Sequence, residues 1–183
     1  MFGSAIHPTP DEQLILNIAA GDRDAFAEVY LRQKGAVYAF ALSILHDAPA
    51  AEDVLQETFL QLWSAAASYQ PRGHSPVSWL LGITRNTALK HLRTAQRDAA
   101  VPLDEVPDTA DPLDAFLAAE NRIVTRAVMA HLSEEERQIV VLHAVAGIKH
   151  REIAQLLDKP LSTVLNKYRR ALKKLESMLG EQV

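Results

Sequence analysis

The 183-residue chain contains no cysteine. That excludes a disulfide framework, thiol chemistry and a cysteine-ligated zinc site. Glycine is scarce, with seven residues, and aromatics are 6% of the chain. With abundant Ala and Leu, this composition favours helix. No apolar run approaches a membrane span, and no charged-then-apolar secretory start is visible, so no membrane insertion and a cytoplasmic location are expected. No His-Glu-x-x-His, P-loop, Gly-x-Ser-x-Gly or paired-Cys pattern occurs. An enzyme is therefore not expected, nor are catalytic residues, a cofactor or a metal. His143 and His150 read as solvated or hydrogen-bonded surface groups.

What is present is 48% hydrophobic residues, enough to bury cores, and a net charge of −4. That average argues against a generic DNA-coating protein, but it hides strong segregation. Residues 71–97 carry five basic and no acidic groups, and residues 98–119 carry six acidic and no basic ones. Residues 1–70 are net acidic and residues 120–183 net basic. Such alternation suggests segments with different partners.

The basic C-terminal segment has two unlike faces when read as a helix. Leu161, Leu165, Tyr168, Leu172, Leu175 and Leu179 recur at steps of four and three, one apolar stripe widened by Val164 and Ala171. Roughly opposite lie Ser162, Thr163, Asn166, Arg170 and Lys173, flanked by Lys167, Arg169 and Lys174. From Leu161 to Leu175 there are five Lys/Arg and no Asp/Glu. Cations suit phosphates, and Asn and Arg suit base edges, so the helix fits a DNA groove. Upstream, Arg151-Glu-Ile-Ala-Gln-Leu-Leu157 is a short amphipathic helix ended at Asp158-Lys-Pro160. Helix, tight turn and basic helix read as a helix-turn-helix. A solvated surface hairpin would carry the same charges; the turn and preceding helix favour DNA.

From the N-terminus, Thr9-Pro-Asp-Glu12 is a helix start, with Thr9 as N-cap and Pro10 at the first helical position. Asp22 caps a second helix to about Leu45, and His46-Asp-Ala-Pro49 is a break. The helix Ala51-Glu-Asp-Val-Leu-Gln-Glu-Thr-Phe-Leu-Gln-Leu-Trp63 turns Val54, Leu55, Phe59 and Leu62 inward. Glu52, Asp53, Gln56, Glu57 and Gln61 form its acidic outer face. A loop is expected from Ser64 to Ser78, then a basic helix from Val77 to about Gln96 exposing Arg85, Asn86, Lys90, Arg93 and Arg97. Pro102, Pro107 and Pro112 among acids make residues 98–119 an extended tether. Helix resumes near Asp114 and runs to His131. Ser133 and Glu136 form a capping box for the next helix, which stops at Gly147.

Two stretches resemble bacterial sigma factors of the extracytoplasmic-function (ECF) class. Ala51 to Trp63, with Trp79-Leu-Leu-Gly-Ile-Thr-Arg-Asn86, is similar to region 2. Leu132-Ser-Glu-Glu-Glu-Arg137, Glu152-Ile-Ala154, Thr163-Val164 and Arg170-Ala171 are similar to region 4. The resemblance spans nearly the whole chain in the right order. It implies an all-α protein of two small helical domains joined by a flexible acidic linker: residues 1–97, 98–119 and 120–183. It implies an initiation factor whose partners are core RNA polymerase, promoter DNA and an anti-sigma factor. By position, Asp53, Gln56 and Glu57 fall on the polymerase-binding face. Tyr69, Arg72, Arg85, Asn86, Lys90 and Arg93 fall where region 2 meets the −10 strand, with Tyr69 and Trp79 as candidate stacking rings and Trp79 the better core candidate. Ser162, Thr163, Asn166, Lys167, Arg169, Arg170 and Lys173 fall on the −35 reader. The chain departs from the family at Leu165-Asn166-Lys167, where one cation is lost and Lys replaces a planar Arg fork. It departs again at Lys149, where a Ser commonly caps, and at Lys90, where an Asp is common. A sigma-like adaptor that binds polymerase or an anti-sigma factor without initiating is the rival reading. A plain helix-turn-helix repressor leaves Ala51 to Trp63 unexplained.

Overall fold

A computed structural model describes residues 10–71, 74–98 and 131–180. Among these residues all regular structure is helical. Helix α1 (Asp11–Ala19) buries Leu14, Ile15 and Ile18. Thr9 lies outside the described residues; Pro10 occupies the cap position rather than the first helical one, and its carbonyl accepts the Leu14 N–H at 3.1 Å. Gly21 turns the chain at φ 89, a conformation a side chain would strain. Helix α2 (Arg23–Leu45) starts where the Asp22 carboxylate accepts the N–H groups of Asp24 and Ala25. It ends on His46 in the left-handed conformation.

Asp47 caps α3 (Ala48–Ala65) through the Ala50 N–H, with Pro49 in the first turn where its missing donor costs nothing. The loop expected from Ser64 starts later, because α3 continues into one turn of 3-10 helix at Ala66–Ser68. There the Ser64 and Ser68 hydroxyls donate to preceding carbonyls. Helix α4 (Pro76–Asp98) follows. Helices α2, α3 and α4 pack on one another around Val37, Phe40, Val54, Phe59, Leu62, Leu80, Leu81 and Ala88, all almost fully buried.

The second unit comprises α5 (Glu134–Val140), a π-helical turn (Val141–Val145), α6 (His150–Leu156) and α7 (Leu161–Gly180). The capping box is complete: the Glu136 N–H donates to Ser133 Oγ, and the Ser133 N–H donates to Glu136 Oε2 at 2.9 Å. The π turn ends at Gly147, φ 70, where the Ile148 N–H reaches the Leu142 carbonyl. The α6–α7 turn is made by Asp158 at φ 53, with the Lys159 N–H on the Ala154 carbonyl. Pro160 then starts α7, its carbonyl accepting from Thr163 and Val164. So the turn between the two helices needs both residues, not the proline alone.

The apolar stripe of α7 is narrower than its sequence suggests. Val164 and Ala171 are buried, with Tyr168 and Leu175 packed beside them, but Leu161 and Leu172 remain 38% and 37% exposed. The reason is lateral: α5 lies toward the Lys167 and Lys174 flank of α7, to which it is tied by ion pairs. The opposite edge of the stripe is left uncovered.

The two units share a core. Tyr38 and Ile44 of α2 belong to one buried cluster with Ile139, Val141, Leu142, Ile148 and Leu157. The expected linker begins at Asp98, the last residue of α4; the rest of it, and the helix expected up to His131, lie outside the described residues except for His131 itself. Replacing Ser133 by Ala should cost about 1 kcal/mol through loss of the cap. Ser177→Ala, on the exposed face of α7, should stay within about 0.5 kcal/mol. Chemical denaturation of the two variants checks both values.

Candidate nucleic-acid interface

With Val164 and Ala171 turned inward, α7 presents Ser162, Asn166, Arg169, Arg170 and Lys173 as an exposed front. Thr163 and Lys167 sit at its edge and are half-buried. Lys167 does not point freely outward: its ammonium pairs with Glu135 Oε2 at 2.7 Å. Glu135 Oε1 holds Lys159, in the preceding turn, at 2.9 Å. The two lysines hold the Glu135 carboxyl below its ordinary range. Lys174 reaches the buried Glu136 at 2.6 Å. Burial pushes the Glu136 carboxyl up, but Lys174 and the Ser133 N–H outweigh it, and the net shift is down.

On the first unit, Asn86, Lys90 and Arg93 are exposed along α4, and Arg85 is half-buried. Tyr69 is not an open stacking platform. It is 7% exposed, its ring lies 5.1 Å from that of half-buried Trp79, and its hydroxyl donates to the His74 carbonyl. Burial raises its phenol pKa. Its ring completes the wall of the α1–α4 core, a placement its position in a predicted loop did not suggest. Arg72 lies outside the described residues. On α3, Asp53 and Gln56 are exposed, whereas Glu57 is tied to His91 Nε2 at 2.8 Å. Leu60, 71% exposed, continues the same face one turn on.

The two units meet along α4. One cleft is lined by Arg85 and Leu89 of α4 and by Glu135, Lys159, Thr163 and Lys167 of the second unit. Beside it, Leu156 of α6 lies over Gly82, 3.8 Å from where a Cβ would stand. Glu152 Oε1 accepts the Ser75 N–H at 2.9 Å, just ahead of α4. Burial raises the Glu152 pKa, yet its hydrogen bonds to Ser75 and Lys149 bring it net down. Arg137 donates to His46 Nδ1 at 2.8 Å. Desolvation and then the Arg137 charge lower the His46 pKa. None of these pairings was visible in the sequence. Glu135 stood in an acidic run that read as a helix start, and no spacing rule links position 135 to 159 or 167.

His143 and His150 are half-buried rather than solvated. Their rings lie 4.1 Å apart, and each lies 4.8 Å from Tyr168 of α7. The His143 Nδ1–H donates to the Ile148 carbonyl, while His150 Nε2 is buried without a partner. Among the described residues no group of three or more His, Asp or Glu is placed to hold a metal, and no helix is long and apolar enough to cross a membrane.

Comparison with known proteins covers both units. The sigma-70 region 2 family matches residues 29–98, and the sigma-70 region 4 family matches residues 123–175. The chain is 30% identical over 178 residues to the ECF RNA polymerase sigma factor SigK of Mycobacterium sp. strain KMS, covering 91% of this chain and 89% of that one. It is 30% identical to SigK of Mycobacterium tuberculosis strain CDC 1551 / Oshkosh, with 92% of each chain covered. The fold is similar to CnrH, solved with the cytosolic domain of CnrY: TM-score 0.64, 23% identity, 94% of this chain and 99% of that one. It is also similar to RpoE of Bartonella quintana, solved with the anti-sigma factor NepR: TM-score 0.64, 22% identity, 87% and 98% covered.

Acid should destabilise the fold through His150. Burial, and then His143, hold the His150 pKa below its ordinary 6.5. Below about pH 6.5 the unfolded chain therefore binds a proton that the folded chain refuses, and stability falls. Denaturation at pH 7.5 and 6.0 should show this loss in the wild type and a smaller one in His150→Phe.

Proposed function

The chain belongs to the ECF class of sigma-70 factors, and from that premise we propose that it directs core RNA polymerase to promoters through two separate DNA-reading faces. The observation that carries this reading is the exposed front of α7 over a buried back. Five polar or basic side chains stand outward there, and the tie to α5 fixes the orientation of the helix. In a major groove, Asn166 and Arg170 read base edges, while Arg169 and Lys173 contact phosphates. On α4, Asn86, Lys90 and Arg93 meet the −10 strand, with Arg85 joining once the cleft opens.

Polymerase binding is assigned to α3. Asp53 and Gln56 supply charge and hydrogen-bonding groups, and exposed Leu60 and Trp63 add apolar area on the same side. A polar face with large apolar side chains suits a helical partner surface carrying basic groups. We assign an anti-sigma factor as a further partner, in keeping with the solved complexes of CnrH and RpoE. The site of action is the cytoplasm, where the polymerase works. The factor itself is an initiation factor, with the bond-making chemistry left to the polymerase.

The docked arrangement has a geometric consequence. The −10 and −35 elements lie about 25 base pairs apart, or about 85 Å of duplex at 3.4 Å per base pair. Arg85 and Thr163 line one cleft. The two units must therefore part before both elements are engaged, exchanging the contacts of Leu156, Glu152 and Arg137 for contacts with polymerase and DNA.

Run-off transcription from the upstream region of its own gene, with and without the protein, tests the reading. A discrete transcript only on addition is expected. Stable polymerase binding without a transcript at any candidate promoter would favour the adaptor reading. Asn166→Ala with Arg170→Ala should reduce promoter discrimination about tenfold or more and spare polymerase binding. Asp53→Ala with Gln56→Ala should do the reverse. Fluorophores at Asp24 and Ser177, both exposed and outside the assigned faces, should move apart when polymerase and promoter are added together; unchanged energy transfer in an active complex would refute the opening.

A further inference from the structure

We propose that Glu135 is a specificity-determining residue that holds Lys159 and Lys167 off the DNA backbone, so that α7 meets random DNA with a reduced cationic footprint. This rests on α7 being the DNA-reading helix. The geometry is direct. Each oxygen of one carboxylate takes one ammonium, at 2.9 Å for Lys159 and 2.7 Å for Lys167. Those cations flank the start of α7, where a helix-turn-helix approaches the phosphates. Neither contributes to the exposed front formed by Ser162, Asn166, Arg169, Arg170 and Lys173. The carboxylate thus occupies the place that a phosphate would take. The lowered pKa of Glu135 agrees with this, since the charged form is the one its partners favour.

The effect on recognition follows from how the two kinds of binding differ. Binding to random DNA is driven by phosphate contacts and the counterions they release, about 0.9 of a unit in the salt slope per phosphate neutralised. Base reading by Asn166 and Arg170 is untouched by Glu135. Withholding two cations therefore weakens random binding more than cognate binding in relative terms, and specificity is that difference. An ion pair this exposed is weak, so a duplex held in register by base contacts is able to displace the carboxylate. A duplex without such contacts does so less often.

The test uses the full-length protein and fluorescence anisotropy between about 50 and 200 mM salt, where phosphate contacts weigh most. The probes are a random-sequence duplex and a duplex from upstream of its own gene. E135Q should bind the random duplex about tenfold or more tighter at the low-salt end, with a salt slope steeper by up to about 1.8. E176Q removes the same charge farther along the exposed face of α7 and should change little. Adding K159Q and K167Q to E135Q should restore the wild-type slope. E135Q should gain less on the upstream duplex than on the random one; if the two gains are equal, if E135Q matches the wild type or E176Q, or if the triple variant keeps the steep slope, the proposal fails. The reading of α7 is checked apart from this. If Asn166→Ala with Arg170→Ala keeps full preference for the upstream duplex, that reading is wrong whatever E135Q does.

Discussion

The placement of α7 depends on one buried carboxylate. Glu136 is 2% exposed, and its Oε2 accepts from both the Ser133 N–H and the Lys174 ammonium. It closes the start of α5 and fixes α7 laterally in the same contact. A carboxylate so placed is stable only while both partners are present, because either alone leaves charge without compensation in a poorly solvated site. The exposed front of α7, the uncovered edge at Leu161 and Leu172 and the Glu135 pairs all follow from the side on which α5 lies.

Much of this was legible in the sequence. Asp22 and Ser133 cap helices because short oxygen-bearing side chains satisfy orphan N–H groups. The period of Leu161, Leu165, Tyr168, Leu172, Leu175 and Leu179, widened by Val164 and Ala171, marks an apolar back, of which Val164 and Ala171 are buried while Leu161 and Leu172 are not. The acidic face of α3 was read as outward, and Asp53 and Gln56 are exposed there. What was not legible was long-range. Tyr69 stood in a predicted loop, and only the packing of α1 and α4 around it shows that it is core. Glu57 read as a surface acid until α4 brought His91 beside it. The histidines looked like scattered polar residues because nothing local signals that Tyr168, eighteen positions on from His150, covers both rings.

The junction between the units is small in parts yet varied in chemistry. It combines an apolar seam at Tyr38, Ile44 and Leu142, a carboxylate on a loop N–H, an arginine on a neutral imidazole and a leucine over a glycine. Apolar burial supplies most of the attraction, and the polar pairs fix the angle. Because the polar pairs are partly exposed, water and competing ions exchange with them readily. Such a contact suits a state that must be both populated and left.

Gly82 under Leu156 ties the inheritance of the two halves together. A Cβ at position 82 would meet Leu156 at ordinary contact distance; a side chain larger than alanine would be a change on the helix assigned to one promoter element, yet it would press on the first helix of the motif assigned to the other. Selection on one binding preference therefore acts on the docking of its neighbour. Lineages that alter the surface of α4 should carry matching changes in α6, and hybrids that join the first unit of one relative to the second unit of another should inherit a mismatched seam before they inherit a new promoter.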